Sequence, residues 1–294
     1  MVGYGIGRDL SVTILNRVIL INKPKGMSSN QALQKVKRAF GAKKAGHTGT
    51  LDPMATGMLP ICFGRATKLI EFMLGADKAY TATIQLGQAT DTGDAEGEVI
   101  AEQAVPGLDQ VRIEQALSRF RGSIEQVPPM YSALKQGGKR LYQLARQGKE
   151  VARPARSVMV YELRCEGFDS ETQQLTVFVR CSKGTYIRVL GEEIAKALGT
   201  LGHLVALHRN YCAGFESSAM HSLEAISETH VLPADAGLAH WPIWHIDAQQ
   251  VLALQHGKPI VIAKADGWGR LYCDGQLMAI AEFAQGALLQ RKFC

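Results

Sequence analysis

Short apolar runs, broken by glycine and proline, alternate with helical spacings along most of the chain. The β-branched run 18–21 predicts a strand, and Ser28 or Ser29 can cap a helix whose apolar residues share one face. Further strands are predicted over 80–86, 157–165, 175–181 and 203–212. Further helices are predicted over 66–74, from Asp109 onward and over 187–198. Strands and helices without regular β-α-β alternation predict an α+β domain with a mixed, largely antiparallel sheet.

The C-terminal part of the chain has a different pattern. Between 251 and 293, glycines separate short strand-like pieces at 260–263, 271–273, 277–281 and 287–290. This pattern predicts a small β module, and we place the domains at 1–235 and 245–294.

Composition describes a folded protein without a membrane segment. Of 294 residues, 46% are hydrophobic and 20% are charged, close to globular averages. No uncharged stretch reaches the roughly 20 residues that a membrane span needs, and residues 1–16 lack the unbroken apolar run of a secretory signal. The six cysteines are scattered without metal-ligand spacing. We therefore expect a cytoplasmic protein with reduced thiols, no metal and no membrane contact.

Positive charge is concentrated in two segments. From Arg17 to Lys68 there are ten lysines and arginines and a single acid, Asp52. From Lys135 to Arg156 there are seven, opposed only by Glu150. Clustered cations are typical of a polyanion-binding surface, although a solvated basic face without a ligand has the same pattern.

Asp52 lies in the loop GHTGTLDP (46–53), where glycines and Pro53 constrain the backbone. Such a loop can hold a carboxylate in one orientation, as a nucleophile or base requires, and the surrounding cations should keep it ionised. The alternative is a structural aspartate that caps its own turn. His47 in the same loop is compatible with acid–base chemistry, with stacking or with a turn.

Two tyrosines and an arginine can complete a site for an unstacked base. Tyr80 opens a predicted strand, and Tyr186 enters a predicted helix two residues before Arg188. Aromatic rings can enclose a flipped base and an arginine can pair with a carboxylate. Ordinary packing explains each tyrosine equally well, and spacing alone does not show that the three residues converge.

Six motifs, taken in order, resemble the TruB-type tRNA pseudouridine synthases. They are KPKGMSS (23–29), GHTGTLDP with ATG (46–57), DKAY (77–80), LG with TDT (86–92), PPMYSALK (128–135) and CSKGTYIR (181–188). The resemblance extends from about Val18 to Phe215. It implies an α+β pseudouridine synthase domain, an RNA-gripping insertion near 125–156 and a small C-terminal PUA-like β-barrel.

The resemblance also implies roles for individual residues. Asp52 matches the catalytic aspartate and Arg188 the cation paired with it. The residues that match substrate-binding positions are His47, which stacks where the flipped nucleotide leaves space, Tyr80 and Tyr186 on the target base, Leu207 in the pocket wall, and the basic residues Lys23 and Lys68. The segment 207–210 (LHRN) departs from the usual Leu-Arg-Arg, so one backbone-facing cation is only partly replaced.

The implied reaction converts uridine 55 in the T loop of tRNA to pseudouridine, without a cofactor and without a protein partner. The sequence leaves open whether Asp52 attacks C1′, adds to C6 or removes the C2′ proton. It also leaves open a different class of function, a tRNA folding factor that grips the T arm without catalysis. Oligomeric state is not encoded in any motif, and a monomer is the default expectation.

Overall fold

Strands and helices follow one another irregularly in the computed structural model, which describes residues 16–132, 134–145, 147–263 and 265–293. The strands are β1 (Arg17–Lys23), β2 (Ala45–His47), β3 (Thr56–Phe63), β4 (Lys78–Leu86), β5 (Gln88–Thr90), β6 (Val99–Glu102), β7 (Gly122–Gln126), β8 (Lys135–Gln136), β9 (Lys139–Arg140), β10 (Arg156–Asp169), β11 (Gln174–Cys181), β12 (Gly202–Cys212), β13 (Phe215–Glu216), β14 (His221–Ser222), β15 (Leu232–Pro233), β16 (Ile243–His245), β17 (Gly267–Cys273), β18 (Gln276–Ala284) and β19 (Ala287–Phe293). The α-helices are α1 (Ser29–Ala39), α2 (Ile70–Leu74), α3 (Gln110–Ser118), α4 (Leu141–Ala145), α5 (Ile187–Ala197) and α6 (Ala248–Gln255), and 3₁₀ turns occupy Gly64–Leu69, Ser217–Ala219, Glu228–His230 and Ala236–Leu238. The expectations for the N-terminal segment up to residue 15, for Arg146 and for Cys294 concern residues outside the described ranges.

Most predicted elements are confirmed, and three need correction. The predicted helix 66–74 is a 3₁₀ turn followed by the single-turn helix α2, because Thr67 Oγ1 donates to the Gly64 carbonyl at 2.7 Å and tightens the turn. The strand-like piece 260–263 forms only a bridge between Val261 and Ala287. Helix α6 replaces the start of the predicted β module. Within the described ranges, no helix is long and apolar enough to cross a bilayer.

The chain forms two compact units, and among the described residues the first contains 16–53, Gly57–Ala76 and those from Cys212 onward. In its main sheet, β1 lies between antiparallel β3 and parallel β14, with β15 and β2 at the ends of these strands. Strand β1 is buried on both faces. Ile19 and Ile21 pack with α1, whereas Val18 and Leu20 pack with the 3₁₀ turn and α2.

The C-terminal segment of the first unit forms a four-stranded sheet in the order β16-β17-β18-β19, which confirms the predicted small β module. Helix α6 and this sheet enclose a core that includes Leu254, Leu271 and Phe283. The capping box of Asp247 and Gln250 starts α6. A second apolar contact joins this sheet to the rest of its unit, where Phe72 packs on Trp268 with ring centroids 4.7 Å apart.

The second unit, Met54–Thr56 with Asp77–Tyr211, has a sheet in the order β12-β4-β11-β10-β7. Strands β4, β11, β10 and β7 pair with one another antiparallel. Helix α5 packs on β4 and α3 on β10. At Gly191 of α5, a Cβ atom would lie 3.1 Å from a Leu204 methyl carbon, so glycine allows the helix to approach the sheet closely. The strand pairings within the two units confirm the mixed, largely antiparallel α+β class. The predicted functional domains, 1–235 and 245–294, divide the chain differently from these two compact units, and they stay a prediction.

A segment without large secondary structure connects β7 to β10, at the place predicted for the RNA-gripping insertion. It contains the β8–β9 hairpin and the single-turn helix α4. The paired strands β7 and β10 hold its two ends together, with Gln126 opposite Arg156. The two ends of the segment therefore lie on neighbouring strands, and its role as an RNA-gripping insertion stays a prediction.

The described cysteines are free thiols. Cys62, Cys181 and Cys212 are buried, and burial raises the pKa of Cys62 to about 12 and that of Cys181 to about 11. These two thiols stay protonated at neutral pH and act as small apolar groups. In the described ranges, no three His, Cys, Asp or Glu side chains are grouped so that they can hold a metal ion.

A buried ion pair fixes the link that leads to the C-terminal sheet. Asp235, whose side chain is 3% exposed, accepts from Arg270 Nη1 at 3.1 Å and from the Tyr272 hydroxyl at 2.8 Å. Arg270 also donates to the carbonyls of Ala239 and Trp241. The link 232–242 is therefore anchored to β17 by charged hydrogen bonds.

We expect Asp235→Ala to lower the free energy of unfolding by about 3 kcal/mol, because it leaves a largely buried guanidinium without its carboxylate. Urea unfolding followed by circular dichroism measures the change. The control is Glu71→Ala, which removes the exposed ion pair with Lys292 and should cost less than about 1 kcal/mol. Equal losses in the two variants would contradict the structural role of Asp235.

Candidate functional site

The loop 48–55, between β2 and β3, holds Asp52 between two anchored neighbours. The amide of Leu51 donates to Ser29 Oγ at 2.8 Å, and this hydroxyl donates to the Leu51 carbonyl at 3.0 Å. The carbonyl of Pro53 accepts from the amide of Gly26 at 2.8 Å. Since the Leu51–Asp52 peptide and the carbonyl of Pro53 are both held by hydrogen bonds, the backbone around Asp52 has little freedom to move, while the Asp52 side chain is only half-buried.

Lys23 is a fully buried cation that anchors the same loop. Its Nζ donates to the carbonyls of Met27 at 2.6 Å, Pro24 at 2.9 Å and Pro53 at 3.3 Å. Three carbonyl dipoles thus surround the ammonium group, which offsets its desolvation. These contacts give Lys23 a structural role, and the substrate-binding role that the resemblance implies for it stays a prediction.

His47 ends β2, opposite Ile61 of β3. Its Nδ1 accepts from the amide of Gly49 at 3.4 Å, and Gly49 has a φ of 128° that favours glycine. At Gly46, a Cβ atom would lie 2.7 Å from Ile70 Cδ1, so a larger residue would displace the end of the Ile70 side chain. Gly46 and Gly49 therefore lie on either side of His47 for different reasons, one for space beside Ile70 and the other for its backbone conformation.

Lys68 lies on the 3₁₀ turn that follows β3, and its side chain is exposed. The amide of Gly64, at the start of this turn, donates to the carbonyl of Lys44 at 2.9 Å. The turn and the segment before β2 are therefore adjacent, and Lys68 extends an exposed basic surface in the first unit.

In the second unit, Tyr186 and Arg188 are held at the start of α5. Tyr186 is the N-cap residue, and its backbone is bracketed by the Gln126 side chain, which accepts from its amide at 3.0 Å and donates to its carbonyl at 3.3 Å. Arg188, 6% exposed, donates to the carbonyl of Thr92 at 2.9 Å and to that of Tyr131 at 2.6 Å. The guanidinium therefore joins α5 to two loops.

Asp94 is a partner of Arg188 that the sequence motifs do not single out. Its carboxylate is 3.6 Å from Arg188 Nη1, and both side chains are almost fully buried. The other carboxylate oxygen accepts from Thr92 Oγ1 at 2.8 Å and from the amide of Glu96 at 3.0 Å. The only feature of the sequence that could have pointed to Asp94 is the polar composition of the loop 90–97. An Asx turn explains this composition equally well, and Asp94 does form such a turn with the amide of Glu96.

Tyr80 and Leu207 are buried side chains of neighbouring strands in the second unit. Tyr80 on β4 is 7% exposed and lies opposite Val179, and Leu207 on β12 is 8% exposed. Next to Leu207, His208 Nδ1 is 2.8 Å from Thr56 Oγ1, and burial lowers the pKa of His208. His208 is therefore mainly neutral near pH 7 and does not replace the charge of an arginine at this position.

The predicted site residues thus form two sets. Lys23, His47, Asp52 and Lys68 belong to the first unit, where hydrogen bonds directly connect Lys23 to the residue after Asp52. Tyr80, Tyr186, Arg188 and Leu207 belong to the second unit. The pairing of Arg188 with Asp52 stays a prediction.

Comparison with known proteins identifies the relatives of this chain. Residues 37–187 match the family model described as "TruB family pseudouridylate synthase (N terminal domain)". The tRNA pseudouridine synthase B of Chromohalobacter salexigens is 48% identical, with 91% of this chain and 90% of the relative covered. That of Francisella tularensis subsp. novicida is 46% identical, with 95% of each covered. The chain belongs to the TruB family of pseudouridylate synthases.

Solved structures support the fold. A crystal structure of a Cbf5-Nop10-Gar1 complex contains a chain with a TM-score of 0.72 at 24% identity, covering 94% of this chain and 80% of that one. A structure of an H/ACA ribonucleoprotein bound to a substrate RNA matches with the same TM-score at 20% identity, covering 96% and 86%. At these identities the likeness concerns the fold alone.

Family membership makes this chain an isomerase of the pseudouridylate synthase type. The region matched by the family model includes His47, Asp52, Lys68, Tyr80 and Tyr186. The relatives that are 46–48% identical match over 91% and 95% of this chain. The individual roles of these residues in the synthase stay predictions.

We expect Lys23→Met to lower the free energy of unfolding of this synthase by about 3 kcal/mol, because it leaves buried carbonyls without a donor. The control Lys25→Met removes an exposed ammonium group two residues away and should change stability by less than about 0.5 kcal/mol. Urea unfolding measures both variants. If Lys23→Met is as stable as the control, the ammonium group does not anchor the Asp52 loop.

Proposed function

We propose that this chain converts uridine 55 in the T loop of tRNA to pseudouridine, with Asp52 as the catalytic carboxylate. The observation that carries the proposal is the anchoring of both neighbours of Asp52, Leu51 through its amide and carbonyl and Pro53 through its carbonyl. A reacting group held in one orientation gains much of its rate advantage from that restriction. The names of the relatives, tRNA pseudouridine synthase B, support tRNA as the substrate.

The reaction is an isomerisation. The N1–C1′ bond of uridine breaks, the uracil rotates within the pocket, and a C5–C1′ bond forms. The proton lost from C5 is balanced by the one gained at N1, so the chemistry requires no oxidant or reductant and we propose that it proceeds without a cofactor. Asp52 attacks C1′, adds to C6 or removes the C2′ proton, and these three routes stay open.

We assign the remaining residues as the family resemblance implies. Arg188 keeps the carboxylate of Asp52 ionised. Tyr186 relays the proton lost from C5, and Tyr186 and Tyr80 both stack on the target base. His47 fills the space left by the flipped nucleotide, which offsets part of the few kcal/mol that unstacking costs. Leu207 forms a pocket wall, and Lys23 and Lys68 add positive charge near the substrate.

Asp94 has a supporting role in this proposal. Its carboxylate and the carbonyls of Thr92 and Tyr131 fix the Arg188 guanidinium. A guanidinium fixed in this way presents its charge in one direction without a further cost in side-chain entropy. Asp94 is thus a positioning residue that acts through Arg188.

The rest of the chain supplies RNA affinity. We propose a catalytic domain at 1–235 whose insertion near 125–156 grips the T arm, and a PUA-like RNA-binding module at 245–294. Shape and phosphate contacts dominate recognition of a structured loop of this kind. We propose that the protein acts as a monomer in the cytoplasm, without a protein partner.

We expect Asp52→Asn to lower the conversion of an unmodified tRNA transcript by more than about a thousandfold, because the amide is neither a nucleophile nor a base. Binding of the same transcript should hold or tighten, because the substitution removes an anion near the phosphates. Pseudouridine mapping measures the first effect and filter binding the second.

The matched control is Asp169→Asn. Asp169 is exposed at the end of β10, outside the proposed RNA-binding segments, and its Oδ1 accepts from the amide of Glu171, as an asparagine oxygen also can. Conversion by this variant should equal that of the unchanged chain. Full activity of Asp52→Asn would refute the catalytic assignment. Tight T-arm binding without conversion by the unchanged chain would favour a tRNA folding factor instead.

For the insertion, we expect Lys149→Glu to weaken T-arm binding and to reduce the slope of log Kd against log salt by about 0.7–0.9, the effect of one lost phosphate contact. Lys149 is exposed, as is Arg119 at the end of α3. Arg119→Glu makes the same charge change outside the two basic segments. If the two variants have the same slope, the insertion does not contact RNA phosphates.

A further inference from the structure

Helix α1 carries an exposed cationic face that no proposed role uses. Its buried face, with Leu33 and Val36, packs in the core of the first unit. Cations that are exposed or half-buried follow on the other side and in the segment after the helix. We call these residues the α1 basic face: Lys35, Lys37, Arg38, Lys43 and Lys44.

The α1 basic face is not balanced by acids. Within the ranges that the structure describes, none of its five residues forms an ion pair. Lys35 and Arg38 are three residues apart, where like charges on a helix repel each other. The positive charges on α1 therefore repel one another, and a bound polyanion would relieve this repulsion.

The position of the helix indicates which polyanion. Ser29, the first residue of α1, is hydrogen-bonded to both the amide and the carbonyl of Leu51, the residue before Asp52. From Ser29 to Arg38 the helix extends about 14 Å, at 1.5 Å per residue. Helix α1 therefore begins at the Asp52 loop, and the α1 basic face starts at Lys35, about 9 Å further along the helix, which is a distance of one to two nucleotides.

We propose that the α1 basic face binds backbone phosphates of the substrate RNA next to the target uridine. The proposal rests on the proposed function of Asp52, because it takes its ligand to be the RNA whose uridine reaches that carboxylate. The lysines and the arginine contribute charge-assisted contacts to phosphate oxygens, which position the RNA without reading its sequence.

The test is the double variant Lys35→Gln with Arg38→Gln, with a T-arm hairpin as the RNA probe. Glutamine keeps the helix propensity and removes both charges. We expect the Kd to rise about tenfold at low salt, and the slope of log Kd against log salt to fall by about 1.4–1.8 for two lost phosphate contacts. Circular dichroism confirms that the variant is folded.

The matched control is Arg119→Gln with Lys196→Gln, which also removes one arginine and one lysine from exposed helix positions. A slope and Kd equal to those of the control would overturn the proposal and leave α1 as a solvated basic face. Pseudouridine formation by the unchanged chain is measured on the same hairpin. If that conversion is absent while the double variant loses its salt slope, the catalytic proposal fails and the α1 basic face still binds RNA.

Discussion

The hydrogen bonds that hold Leu51 and Pro53, the two neighbours of Asp52, are the constraint on which the candidate site of the first unit depends. Ser29 anchors the preceding residue, and Gly26 and Lys23 anchor the carbonyl that follows. These groups belong to the end of β1, the turn after it and the start of α1. The buried strand β1 thereby transmits the rigidity of the hydrophobic core to a half-buried carboxylate.

Lysines in the segment from β1 to β2 have two different environments, one buried and one exposed. Lys23 is enclosed by carbonyl oxygens, so its charge stabilises the loop. Lys35 and Lys44 are exposed, so their charge remains available to a polyanion. In the sequence all three lysines belong to one basic segment, because residue type determines charge and only the fold determines burial.

The elements that can be predicted well from the sequence have strong local signals. Helix α1 has a capping box at Ser28 and an apolar face, and β4 and β11 alternate cleanly. Strand β3 escapes prediction because Pro60 interrupts an almost wholly buried run, which has no alternation to detect. Helix α6 escapes prediction although its capping box is present in the sequence, because the neighbouring glycines and strand-like pieces suggest β structure throughout.

The candidate site shows a similar limit, with a physical cause. The motif around Asp52 is contiguous, so its glycines and proline indicate a constrained loop from the sequence alone. The contact between Arg188 and Asp94 joins residues far apart in the chain, and Asp94 lies in a loop whose composition a plain Asx turn accounts for. A polar side chain that acts through a distant partner has no local pattern, so only the folded chain can show that this buried carboxylate positions a guanidinium and does more than close its own turn.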